Sequence, residues 1–175
     1  MSAQTDLVTF EIPAKPTGIW TLVNEFVEGS RVLKISANET TWTYADAASA
    51  RCGADGHRNA FLAHENCLFP DAPVGALIGK IGGSSAGIKD GTKVFVVGRF
   101  CVVTVPEEGG PLYLTINDEY SGMENNADAV KVTVVDITPP AKPKAAPSAC
   151  CALLAALSKL SPCPNDAQAA VKSPD

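Results

Sequence analysis

The residues best suited to chemistry lie in one stretch, Leu114-Thr-Ile-Asn-Asp118-Glu-Tyr-Ser-Gly122-Met-Glu-Asn125-Asn126-Ala-Asp-Ala-Val130. A strand delivers Asp118, six residues follow, and two Asn precede the next strand. A hairpin of this form brings one carboxylate, two amide oxygens and free main-chain carbonyls toward one point. Those are hard oxygen ligands, and calcium takes about six to eight of them at roughly 2.3–2.6 Å. Gly122 in mid-loop permits a tight turn and leaves its carbonyl unhindered. Glu119, Glu124 and Asp128 add negative potential. One firm carboxylate with two neutral amides leaves an ion under-neutralised, with positions open to water or ligand hydroxyls. A vicinal diol can replace two waters at once, which is a way to select a sugar. The competing reading is an ordinary acidic turn, since Asn, Asp and Gly favour turns for local reasons.

The elements that must hold this loop read as strands. Leu7-Val-Thr-Phe-Glu-Ile12 alternates, Gly18-Ile-Trp-Thr-Leu-Val23 follows a Pro-Thr turn, and Arg31-Val-Leu-Lys-Ile35 follows Gly29-Ser30. The main strands are Val74 to Ile81, Val94 to Val97, Phe100 to Val105, Leu112 to Ile116 and Val130 to Ile137. Short β-branched strands separated by Gly, Pro and Asp turns predict a sandwich or barrel, and their apolar faces require two packed sheets. Asn38 to Asp71 is long and polar and carries both His residues; loops of that length in a compact domain are usually functional. The expected organisation is a β-sandwich over 1–137, a Pro/Ala-rich linker over 138–148 and a tail over 149–175. In the tail, Ser148 caps a short helix, Ala149 to Leu160, with Leu153, Leu154, Leu157 and Leu160 on one face. That face is expected to dock on the sandwich or on a neighbouring subunit.

Composition narrows the function. Hydrophobic residues at 46% and charged residues at 19% describe a globular chain. A net charge of -5 gives no basic footprint, so nucleic acid is not an expected partner. The N-terminus lacks the basic start and apolar core of a cleaved signal, and no stretch approaches a membrane span of about 20 apolar residues. The expectation is a cytoplasmic product, with export by a route that needs no cleaved signal as the alternative. Six Cys occur, none in a CxxC. Cys101, inside an apolar run, reads as a small core residue, and pairing of Cys52 with Cys67 is the less favoured reading. Gly79-Lys-Ile-Gly-Gly-Ser-Ser is Gly-rich but lacks phosphate-loop spacing and a following helix. With two His and no nucleophile constellation, an enzyme is not expected.

Pro73-Val-Gly-Ala-Leu-Ile-Gly-Lys-Ile-Gly82, Gly110-Pro-Leu-Tyr-Leu-Thr-Ile-Asn-Asp118, Asn125-Asn126 and the closing Val-rich strand together resemble the PA-I galactophilic lectin-like family of bacterial calcium-dependent galactose-binding lectins. Thr17-Gly-Ile19, Glu28 to Ile35 and Gly53-Ala-Asp-Gly56 look like that family's early strands and polar loop. The resemblance covers about residues 7 to 137 and is best from Val74 to Val134. It implies a jelly-roll-like, galactose-binding-domain-like β-sandwich in which calcium bridges protein and sugar. By motif match Asp118 is the carboxylate ligand, Asn125 and Asn126 the amide ligands, and Gly122 a carbonyl ligand where the family has Thr. A main-chain carbonyl near Tyr44 matches the distal ligand. The family's sugar-contacting His and Gln lie before the Gly-Ala-Leu strand. Here that loop holds His57 and, at shifted spacing, His64 and Glu65; His64 with Glu65 is the candidate for contact with sugar hydroxyls, beside Asp118 and Asn125. The implied partner is galactose or a galactoside, the implied cofactor Ca2+, and the implied assembly a homo-oligomer. The alternative is a non-catalytic interaction or structural module without sugar binding.

Overall fold

The computed structural model describes residues 8–57, 63–87, 90 and 93–140. Ten strands follow the chain: β1 (Val8–Pro13), β2 (Thr21–Val27), β3 (Val32–Ala37), β4 (Trp42–Thr43), β5 (Arg51–Cys52), β6 (Leu77–Ile81), β7 (Lys93–Val96), β8 (Phe100–Thr104), β9 (Gly110–Ile116) and β10 (Ala129–Asp136). Short 3-10 turns occupy Ala48–Ala50 and Tyr120–Asn125. The chain divides at Pro139 and Pro140 into two compact units, and beyond Pro140 the second lies outside the described residues. The linker and the helix expected over Ala149 to Leu160 therefore fall outside them too, apart from the linker's first three residues.

Two four-stranded antiparallel sheets form the body, in the orders β1-β10-β3-β8 and β2-β9-β6-β7, with β4 and β5 as a separate ribbon. The chain passes back and forth between the sheets, so this is the expected jelly-roll-like sandwich. Alternation selects the inner faces. In β9, Leu112, Leu114 and Ile116 stand opposite Ile81, Gly79 and Leu77 of β6, and the five apolar side chains among them are fully buried. From the other sheet Ile12, Leu33, Ile35, Val103, Val130 and Val132 join the same core cluster. At roughly 25 cal/mol per Å² of apolar surface removed from water, this double layer is the main stabilising term.

The strand expected over Gly18 to Val23 lies later, at Thr21–Val27. Gly18 to Trp20 form a turn because the N–H groups of Ile19 and Trp20 both donate to Ser85 O. The run Val74 to Ala76, expected as strand, is also a turn. The ribbon β4–β5, inside the polar section, carries too little alternation to be legible in the sequence. No helix among the described residues is long and apolar enough to cross a membrane.

One buried charge sits in the middle of β6. Lys80 is 0% exposed. Its ammonium donates to Ser84 O (2.7 Å), Gly87 O (2.7 Å) and Asp90 Oδ1 (2.6 Å). It also lies 5.0 Å from the Trp20 ring centroid and 5.3 Å from that of Tyr113, a cation–π arrangement. The Gly/Ser segment after β6 thus folds back as a cap of carbonyls over its own lysine and is no phosphate cradle. The Lys80 hydrogen bond, then those from Ser84, hold the Asp90 carboxyl down at about 2.

Replacing Lys80 by Ala is expected to cost on the order of 3 kcal/mol, because carbonyls built around an ammonium lose their donor. Urea unfolding measures it. Asp90, half-exposed, contributes less. Its folded pKa is depressed, so its stabilisation is present above about pH 4 and is lost as pH falls toward 2. The stability gap between the wild type and Asp90→Asn is expected to close over that interval.

Candidate functional site

Asp118 lies two residues beyond the end of β9, and Asn117, between the two, fixes that exit. Asn117 N donates to Ala76 O (2.7 Å) and Gly75 N donates to Asn117 O (2.7 Å), so the β6–β9 pairing continues past the named strands. The Asn117 side chain, fully buried, accepts from Phe69 N (2.9 Å) and faces the carbonyls of Phe69, Ala72 and Pro73 at 2.9–3.2 Å. One amide thereby pins the 69–73 segment to the root of the Asp118 loop. Gly75 sits in a left-handed conformation at φ +77°, where a Cβ would lie 2.6 Å from Cys52 Sγ and 2.9 Å from a Tyr44 ring carbon. Only glycine lets the turn pass under Tyr44.

The Asp118 carboxylate is 7% exposed. Oδ1 accepts from Glu119 N–H (2.7 Å) and Oδ2 from the Asn126 amide (3.0 Å). Burial raises its pKa above the usual carboxylate value, with the Asn126 and Glu119 hydrogen bonds working against that rise. No cationic side chain forms a salt bridge with it among the described residues.

Asn126 is 6% exposed. Its Nδ2 donates to Asp118 Oδ2 and to Ala14 O (3.2 Å). Both partners can only accept, so the amide orientation is fixed and Oδ1 faces the other way. That Oδ1 is buried and has no hydrogen-bond partner among the described residues. An unsatisfied buried acceptor costs about 1–3 kcal/mol. Here it stands next to a buried carboxylate that lacks a counter-charge. Each of these oxygens is of the hard type that a cation such as calcium takes.

The chain shares its fold with a lectin domain. The N-terminal domain of EclA, described as a PllA-like lectin, superposes with a TM-score of 0.53 at 19% identity, over 74% of this chain and 97% of that one. No family profile and no curated protein sequence matches the chain.

The other expected site residues are placed as follows. Gly122 faces the carboxylate: a Cβ built on it would lie 3.7 Å from Asp118 Oδ2 and 3.8 Å from Oδ1. Tyr44 follows Thr43, whose N–H and carbonyl pair with Ala127, the residue after Asn126. Its phenol is raised by burial, then by the charges of Cys52 and Asp118. Asn125 ends the 3-10 turn exposed, and no hydrogen bond ties its side chain to Asp118. His64 and Glu65 are exposed in a turn closed by Cys67 N to His64 O (2.8 Å), and Leu68 N then donates to Asp118 O (3.1 Å). That turn adjoins the Asp118 loop through backbone, and the His64 ring accepts from Asn66 N–H without a hydrogen bond to Asp118. Among the described residues no group of three His, Cys, Asp or Glu is placed to hold a metal, so amide and carbonyl oxygens would supply most ligands.

Two residues went unrecognised in the sequence. Asn117 reads there as one more turn amide; only its burial reveals its task. His57 packs edge-on against Tyr44, with ring centroids 5.9 Å apart and a buried Nδ1 that has no partner among the described residues. Its signal was its place in the loop before the Gly-Ala-Leu run. Cys52 and Cys67 are both free and buried, with no disulfide between them, and burial pushes the Cys52 thiol up to about 11. Cys101 is half-buried against the core, and its thiol also lies at about 11 from burial.

The folded pKa of Asp118 is raised, so in metal-free protein its contribution to stability is greatest at low pH and is lost as pH rises through that folded pKa. At neutral pH in chelator, Asp118→Asn is expected to leave the melting temperature unchanged or to raise it. Calorimetry reads this, and a large loss of stability would show that the carboxylate is a structural anchor instead.

Proposed function

We propose that the protein is a calcium-dependent carbohydrate-binding protein, a lectin, that takes galactose or a galactoside. The observation that carries the reading is the partnerless Asn126 Oδ1 beside the buried, uncompensated Asp118 carboxylate. Asp118 and Asn126 would hold the ion, joined by Asn125 and by the main-chain carbonyls of Gly122 and Tyr44. When bound, calcium supplies positive charge and coordination positions that vicinal hydroxyls can fill. The protein's own part is to hold its oxygens in place before the ligand arrives. Asn117 fixes the base of the loop, Ala14 O orients the Asn126 amide, and Thr43 ties Tyr44 to the strand leaving the site. His57, rather than His64, is the imidazole we assign to a sugar hydroxyl, because it touches Tyr44. The lectin fold of the structural neighbour supports the reading.

A second reading is an interaction module without sugar binding. It is favoured by Phe100 and Val102, which stand exposed on β8, an edge strand. Such a surface suits a protein partner.

Titration calorimetry separates the two. Galactose binding is expected with calcium and is expected to vanish with chelator or in Asp118→Ala. Calcium at 100 times its dissociation constant is expected to stabilise the fold by about 2.7 kcal/mol. Protons compete for Asp118, so calcium affinity is expected to fall as pH drops through the carboxyl's raised pKa. His57→Ala is expected to weaken galactose binding more than His64→Ala. Galactose binding that persists in chelator would overturn the calcium reading, and no binding in excess calcium would favour the module.

A further inference from the structure

Beside the candidate site runs a groove of about 400 Å³ between the β1–β2 connection and the Tyr120–Asn125 turn. One wall offers Lys15 and Thr17, the other Tyr120, Ser121 and Glu124. We propose that this groove is a second subsite, which takes the sugar residue linked to the one held at Asp118 and Asn126. The inference rests on the lectin reading above.

Three observations carry it. The groove's walls adjoin the site in the chain: Ala14, whose carbonyl orients Asn126, directly precedes Lys15, and Gly122, which faces the carboxylate, directly follows Ser121. Its size falls within the range of small-molecule sites, about 300–1,000 Å³. Its chemistry is that of a polyol site. Tyr120 is 56% exposed, a large aromatic face left in water although Met123, one turn on, is buried in the core. The face of an aromatic ring suits the C–H face of a hexose, and its hydroxyl supplies a polar handle at the rim. Ser121, Thr17 and the exposed Glu124 carboxylate supply further hydroxyl partners. Lys15 Nζ donates to Glu124 O at 2.8 Å, which ties the two walls together and fixes the width of the groove before any ligand enters. Beyond Thr17 and Gly18 the depression continues for about 380 Å³ past Trp20, Leu22 and Ser85, so a longer glycan has room to run.

Titration calorimetry with methyl galactoside and a panel of galactose-terminated disaccharides, in excess calcium, tests this on the full chain. At least one disaccharide is expected to bind roughly tenfold tighter than methyl galactoside. Tyr120→Ala is expected to abolish that advantage and to leave methyl galactoside affinity unchanged, while Tyr120→Phe retains most of it. If every disaccharide matches methyl galactoside, or if Tyr120→Ala weakens all ligands equally, the subsite is overturned and the lectin reading stands. If methyl galactoside does not bind at all, both fall.

Discussion

A buried carboxylate with no cationic side chain paired to it among the described residues is a debt that the fold must settle. Asp118 is nearly sealed from water and, among the described residues, receives one backbone N–H and one side-chain amide. The same amide leaves its oxygen buried, with no donor to it among the described residues. Folding would ordinarily avoid both features, since each costs free energy. Local strain and unmet polar groups that survive in an otherwise well-packed domain concentrate where ligands bind. The rest of the sandwich can be understood as the framework that keeps these oxygens from relaxing.

That framework reaches the site from four directions. β9 brings Asp118, and the Asn117 amide locks its exit to the 69–73 segment. The end of β1 supplies Ala14 O to Asn126. The β4–β5 ribbon brings Tyr44, tied through Thr43 to Ala127. β10 is joined by Asp128, which sits at φ +69° with its carbonyl accepting from Ala14 N. A left-handed conformation is one that Asp tolerates better than β-branched residues do. The loop is thus held by backbone and amide hydrogen bonds, not by ion pairs. The ion pair nearby among the described residues, Arg51 with Asp128, is half-exposed and contributes little.

Much of this architecture is legible in the sequence because it rests on periodicity. Leu112, Leu114 and Ile116 alternate with their neighbours, as do Val130 and Val132, and alternation places them inward. Asp118 and Asn126 are legible from their spacing across a turn. What escaped depends on contacts distant in the sequence. Lys80 in a central strand contradicts its hydropathy pattern, and its charge is accommodated by the folded-back carbonyls of Ser84 and Gly87 together with the Asp90 carboxylate and the Trp20 and Tyr113 rings. Asn117 looks like a turn residue until Phe69, Ala72 and Pro73 close around it. His57 and His64 lie in one polar segment with no period to order them, so its contact with Tyr44 singles out His57. The displaced start of β2 has the same origin, a carbonyl at Ser85 that captures two N–H groups far away in the chain.

The central claim is that the oxygens of Asp118 and Asn126 await a cation. A crystal structure of the full chain grown with calcium, with anomalous scattering used to locate the metal, tests this most directly. The account expects an ion about 2.3–2.6 Å from Asn126 Oδ1 and from an Asp118 carboxylate oxygen. Saturating calcium with no ion between these atoms, and a water or a protein N–H donating to Asn126 Oδ1 in its place, would contradict it.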